Sequence, residues 1–168
     1  MDLSSPGTDL DFAAEISKKS LEMVEYLMEH PDENEAGYDQ EERHRMCADT
    51  YALILYKLKK YDLAFQYQHE IVETHGDDIS TGEKERYAAF AEKAKGLEFA
   101  KDYIEKQLLA GTDSRVMVEQ LQKIYAELNL PEDEFEQLKE QHKEMAAKAD
   151  RDEIVELFGE LKAIDFTP

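Results

Sequence analysis

The chain has 168 residues, of which 42% are hydrophobic and 36% charged, with only seven Gly and four Pro. That length suffices for a domain with a real core, and so few turn-forming residues among so many charges favour helices over a sheet. Forty acidic against 20 basic residues give a formal charge of −20, which repels a phosphate backbone and disfavours an anionic membrane surface, since both are bound through clustered Lys and Arg.

The simplest reading of the charge is a solvated acidic surface, to which a basic protein or peptide would be complementary. The single cysteine, Cys47, has no internal disulfide partner and is expected as a small buried residue between Met46 and Ala48. The opening MDLSSPGTDLDF lacks the apolar stretch of a signal peptide. No run approaches the ~18 apolar residues that mark a membrane span. These features predict a soluble chain, either as it stands or trimmed of an export signal.

In chain order, residues 1–8 read as a disordered leader. Thr8 or Asp9 caps a first helix that runs to about Met28, with Phe12, Ile16, Leu21, Val24, Leu27 and Met28 as its apolar stripe. Pro31 ends it, and the acidic stretch PDENEAGYDQ, residues 31–40, is a loop. A second helix spans about Glu41 to Leu58, with Met46, Cys47, Tyr51, Ile54, Leu55 and Leu58 inward. Lys59-Lys60 connects it to a third, Asp62 to about Thr74, whose main row is Leu63, Tyr67 and Ile71, flanked by Phe65 and Val72. Gly76 is free to adopt the left-handed cap that follows.

A fourth helix starts at Thr81 or Gly82 and turns Tyr87, Phe90, Ala91 and Ala94 inward, until Gly96 breaks it. Glu98 to Leu109 is the fifth, and Ala110-Gly111-Thr112-Asp113 is a second stop. Ser114 to Leu128 is the sixth. The last begins at Pro131 or Glu132, where proline suits a first turn, and reaches about Phe158. Its middle, Lys139 to Arg151, is poor in large apolar residues, which leaves two readings open: one exposed arm, or two helices broken near Asp150.

The stretch YALILYKLKKYDLAFQYQHEIV, Tyr51 to Val72, nearly repeats 36 residues later as YAAFAEKAKGLEFAKDYIEKQL, Tyr87 to Leu108. Tyr51 falls on Tyr87, Ala52 on Ala88, Leu63 on Phe99, Ala64 on Ala100 and Tyr67 on Tyr103. Small residues at Ala52 and Ala64 let two helices approach closely, while the aromatics fill the space to the next hairpin. With Ala48, Leu55, Tyr61 and Ile71, this pattern resembles the tetratricopeptide repeat (TPR). The resemblance implies an all-α fold of about six to seven helices, with antiparallel hairpins stacked as a TPR-like right-handed solenoid over residues 9–158. It departs from the family pattern in lacking the proline after the second helix and in an offset of 36 residues where about 34 is usual, and the competing reading is an irregular α-helical bundle. In such repeats the first helix of each hairpin lines a peptide groove. Here those positions are Asp49, Leu53 and Tyr56, then Glu85, Ala89 and Glu92. The Lys/Asn/Arg set that clamps a C-terminal carboxylate is missing, and these acids would repel such a tail.

No catalytic, cofactor or metal constellation stands out. Glu41-x-x-His44 has di-iron spacing but no second copy. His44 and Cys47, one turn apart, offer two zinc ligands where a structural site takes four. No phosphate loop, GxSxG or HExxH motif occurs. The series Tyr51, Tyr61, Tyr67, Tyr87 and Tyr103 is expected as core packing.

From Gly159 the helical pattern fades, and residues 159–168 are expected to form an extended tail. Ala163-Ile164-Asp165-Phe166-Thr167 resembles the Ala-Pro-Asp-Phe-Thr opening of thioredoxin-fold redoxins of the TlpA-like class, with Ile164 in place of the proline. The resemblance implies a non-catalytic helical region that precedes a thioredoxin-like domain in a bacterial envelope or periplasmic protein. The redox Cys-x-x-Cys would lie beyond Pro168, and Cys47 matches no part of it. The alternative is a free-standing adaptor for a basic or amphipathic peptide, in the cytoplasm.

Overall fold

Capping chemistry places most of the helix boundaries. The computed structural model describes residues 6–31 and 39–163, and its helices are α1 (Pro6–Glu29), α2 (Gln40–Lys57), α3 (Tyr61–His75), α4 (Thr81–Ala94), α5 (Leu97–Leu109), α6 (Arg115–Glu127) and α7 (Glu132–Ala163). The chain is all-α, with no strand among the described residues. Asp39 accepts from the backbone N–H groups of Glu41 and Glu42 to start α2, and Ser114 accepts from that of Met117 to start α6. Ser80 and Glu83 form a reciprocal capping box at α4.

Three helices end in the same way. After α2, α5 and α6 a residue takes positive φ (Lys59, Gly111 and Asn129), and the next N–H reaches back five residues, Lys60 to Leu55, Thr112 to Gln107 and Leu130 to Tyr125. This is the Schellman closure, which satisfies carbonyls the last turn leaves open. Two of the three sites are not glycine, so composition alone marks only the Gly111 stop.

Several boundaries shift from those expected. α1 begins at Pro6, inside the expected leader, because proline suits a first helical turn. Residues 1–5 and most of the expected acidic loop, 32–38, lie outside the described residues. α7 is one continuous helix through Asp150, which settles the two readings of its middle. It also continues to Ala163, so residues 159–163 are helical where an extended tail was expected. Leu161, Lys162 and Ala163 are good helix formers, which permits the extension. Residues 164–168, with most of the redoxin-like segment, lie outside the described residues.

The chain divides into two compact units, residues 1–96 and 97–168. In the first, α1 packs on α2, α2 on α3 and α3 on α4, with a further contact of α2 with α4. The core comprises Leu21 and Val24 from α1, Ala48, Tyr51, Ala52 and Leu55 from α2, Ala64, Phe65 and Ile71 from α3, and Tyr87, Ala88, Phe90 and Ala91 from α4. Ala52 and Ala64 are fully buried, as a close helix crossing demands. Tyr51 meets Tyr67 edge-on, with 5.1 Å between ring centroids, a favoured aromatic geometry. In the second unit α5 packs on α6 and α7, and α6 on α7, around Ala100, Ile104, Leu108, Met117, Leu121, Ile124, Tyr125 and Phe135.

The expected apolar rows are corrected on four helices, α3, α1, α7 and α2, where Met46, expected inward, is exposed. On α3, Ala64, Phe65, Gln68 and Ile71 are buried while Leu63 is exposed, so the inward face is rotated from the Leu63 row. The repeat partner of Leu63, Phe99, is exposed as well. On α1, Phe12, Ile16 and Met28 are exposed rather than core. In its unit α1 packs on α2, and one helical neighbour covers only one side of an apolar stripe. Ile154 of α7, likewise expected as apolar packing, is exposed.

Candidate functional site

α2 and α4 are adjacent, as the expected groove requires. Asp49, Leu53, Tyr56, Glu85, Ala89 and Glu92 are all half-buried. Its acids are engaged, however. Arg86 Nε donates to Asp49 Oδ1 at 2.7 Å, and Lys93 Nζ lies 2.6 Å from Glu92 Oε1. The face is therefore less acidic than its sequence implies. Tyr56 stacks on the buried Phe90, with 4.5 Å between centroids, and burial pushes its phenol above the usual range. Tyr56 is thus a neutral, fixed wall of this surface.

Glu83 is almost wholly buried, and its Oε2 accepts from both the backbone N–H and the hydroxyl of Ser80 at 2.7 Å. Arg45 Nε lies 3.8 Å from its other oxygen. Burial raises the carboxyl pKa, but the two Ser80 hydrogen bonds with the Arg45 and Arg86 charges outweigh it, and the net shift is downward. A depressed carboxylate contributes stability that is complete above its ordinary value of 4.5 and disappears as pH falls through the lower folded value. Glu83→Gln keeps a capping-box side chain but removes the charge. The expected loss is about 1 kcal/mol at pH 7, and urea titrations at successive pH values should show the gap to wild type closing below pH 4.5.

The other titratable groups act in packing. His69 Nδ1 lies 3.1 Å from the Tyr87 hydroxyl. Burial, with the charge of Glu73, pushes that phenol up to about 12. His142 Nε2 lies 3.0 Å from the Thr112 carbonyl, which ties α7 to the turn after α5. His44 faces Glu25 at 3.6 Å, away from any second metal ligand set. Among the described residues no group of three His, Cys, Asp or Glu side chains converges on a metal-sized site. In the second unit Tyr125 donates to Glu105 Oε1 at 2.7 Å. Burial and that hydrogen bond push its phenol up to about 12, so it stays neutral beside a cleft of about 520 Å³ between α6 and α7.

The sequence reading missed an apolar concavity in the first unit. Between α1 and α2 runs an open trough of about 550 Å³, lined by Phe12, Ala13, Ile16, Ser17, Ser20, Met46, Cys47, Thr50 and Ile54. Phe12 is 65% exposed, Met46 60% and Ile16 47%. Cys47 is half-buried in the trough wall rather than enclosed in the core. The Phe12/Ile16 and Met46/Ile54 spacings were visible as apolar rows. What they lacked was a second neighbour to cover them. No described helix is long and apolar enough to cross a membrane.

Comparison with protein-family models, with characterised proteins and with solved structures finds no match. Function must therefore be argued from these surfaces.

Proposed function

We propose that this chain is a non-enzymatic protein–protein interaction or scaffold domain, its hairpins stacked in TPR-like fashion as a right-handed solenoid. The observation that carries the reading is the open apolar trough of α1 and α2, set in a chain of formal charge −20. Exposed apolar surface of this kind on a charged helical domain marks a contact site for another polypeptide. The half-buried α2–α4 face, with its paired acids, offers a second and more polar contact surface.

The proposal extends to the place of the domain in a longer protein. Ala163-Ile164-Asp165-Phe166-Thr167 supports a helical region that precedes a thioredoxin-like thiol–disulfide oxidoreductase domain in the periplasm or cell envelope. The coding sequence past Pro168 tests this. The expected result is a Cys-x-x-Cys motif in the adjoining domain. A stop codon directly after Pro168 overturns the oxidoreductase context and leaves the free-standing adaptor, which the trough favours independently.

A further inference from the structure

We propose that the α1–α2 trough is the docking site for a basic amphipathic helix of another protein, an inference that rests on the interaction-domain reading and names its site and ligand. Three features select this occupant. The first is the chemistry of the lining. Phe12, Ile16, Met46 and Ile54 supply apolar walls. Of the three hydroxyls in the lining, Ser17, Ser20 and Thr50, two are turned onto their own helices: Ser20 Oγ donates to the Ile16 carbonyl at 3.1 Å and Thr50 Oγ1 to the Met46 carbonyl at 2.9 Å. Hydrogen-bonded locally in this way, they present mainly their carbon atoms to the groove. The floor therefore asks for apolar side chains.

The second feature is shape. Lining residues run from Phe12 to Ser20 on α1 and from Met46 to Ile54 on α2, a stretch of about 12 Å along each helix at 1.5 Å per residue. That length accepts about two turns of a helix, read as anchors at i, i+3 or i+4, and i+7.

The third is charge. Two cations line the hollow that adjoins the trough at Ile16, Ser20 and Cys47, Lys19 and Arg43, and Lys19 is already neutralised by Glu15 at 2.7 Å. Asp9 and Asp11, in the first turns of α1, are exposed and have no ion-pair partner among the described residues. With the chain at −20, long-range attraction steers a cationic helix to this face and repels a second copy of the same chain.

The experiment uses the full chain and two synthetic 18-residue helical peptides with leucines at i, i+3, i+4 and i+7. One carries Lys at its polar positions and the other Glu. Binding is read by calorimetry, and occupancy by the rate at which iodoacetamide alkylates Cys47, whose thiol lines the trough. The Leu/Lys peptide is expected to bind and to slow Cys47 alkylation. Phe12→Ser with Met46→Ser should weaken binding at least about tenfold, since two exposed anchors leave the contact. Both side chains are mostly exposed, so the fold should survive, and circular dichroism confirms that.

Four results overturn the site. Binding of the Leu/Lys peptide to the double variant as tightly as to wild type, with Cys47 equally reactive, would make the attraction generic charge. Equal binding of the Leu/Glu peptide would remove the basic ligand. A dimer in sedimentation that the double variant dissociates would make the occupant a second copy. In each of those cases the interaction-domain reading stands while the trough assignment falls. Absence of binding by either peptide to a monomeric chain counts against both.

Discussion

Phe90→Ala is expected to lower the unfolding free energy by about 3–5 kcal/mol, the usual cost of deleting a buried aromatic ring. Phe90 is 1% exposed and stands among the largest fully buried side chains. Its ring stacks on Tyr56 at 4.5 Å with 20° between planes, so the substitution also forfeits an aromatic pair worth about 0.5–1.5 kcal/mol. A domain of this size has only about 5–15 kcal/mol in hand, and the variant should be close to unfolding at physiological temperature. Urea unfolding followed by circular dichroism checks it. A loss below about 1 kcal/mol would place Phe90 outside the packed interior. The consequence reaches the surface, because Tyr56 belongs to the half-buried α2–α4 face. Without Phe90 behind it, that wall would lose the support that fixes its ring.

The helical count and most breaks were legible because local chemistry sets them. Ser114, Gly96 and Gly111 act within a few residues of themselves, and the structure uses each one. Lys59 was read as a connector, but nothing in its type signals the positive φ it adopts. That conformation is imposed by the return of the chain into α3. Face assignment was harder for a related reason. A periodic row records which residues share a side of a helix, while the neighbours decide how much of that side is covered. Leu63 and Phe12 both sit in good rows and both are exposed. The acids of the candidate groove show the same limit in electrostatics. Asp49 is expected to repel a carboxylate tail, yet its partner Arg86 is 37 positions away and meets it only once α2 and α4 are adjacent. The trough was hidden because its residues look like core in the sequence, and they stay open only because α1 packs on α2 alone among the described helices of its unit.

The repeat itself makes a sharper demand than any single row. Ala64 and Ala100 correspond across 36 residues, and both are 0% exposed, the first in α3 and the second in α5. Each methyl therefore sits where the next helix leaves no room for more. Ala64→Leu is expected to destabilise by about 1–3 kcal/mol through overpacking, as added carbons force neighbouring side chains off their rotamers or shift the backbone. Ala100→Leu should cost a similar amount in the second unit. Gln66→Leu, two residues along on the exposed side of α3, changes volume in the same sense and should stay within about 0.5 kcal/mol of wild type. Helix propensity does not separate the three, because leucine is close to alanine and glutamine on that scale. The contrast isolates packing, and urea midpoints for the three variants read it directly. An unchanged midpoint for Ala64→Leu would mean that α3 has space at that position, and the close approach of helices that gives the 36-residue repeat its physical meaning would be lost.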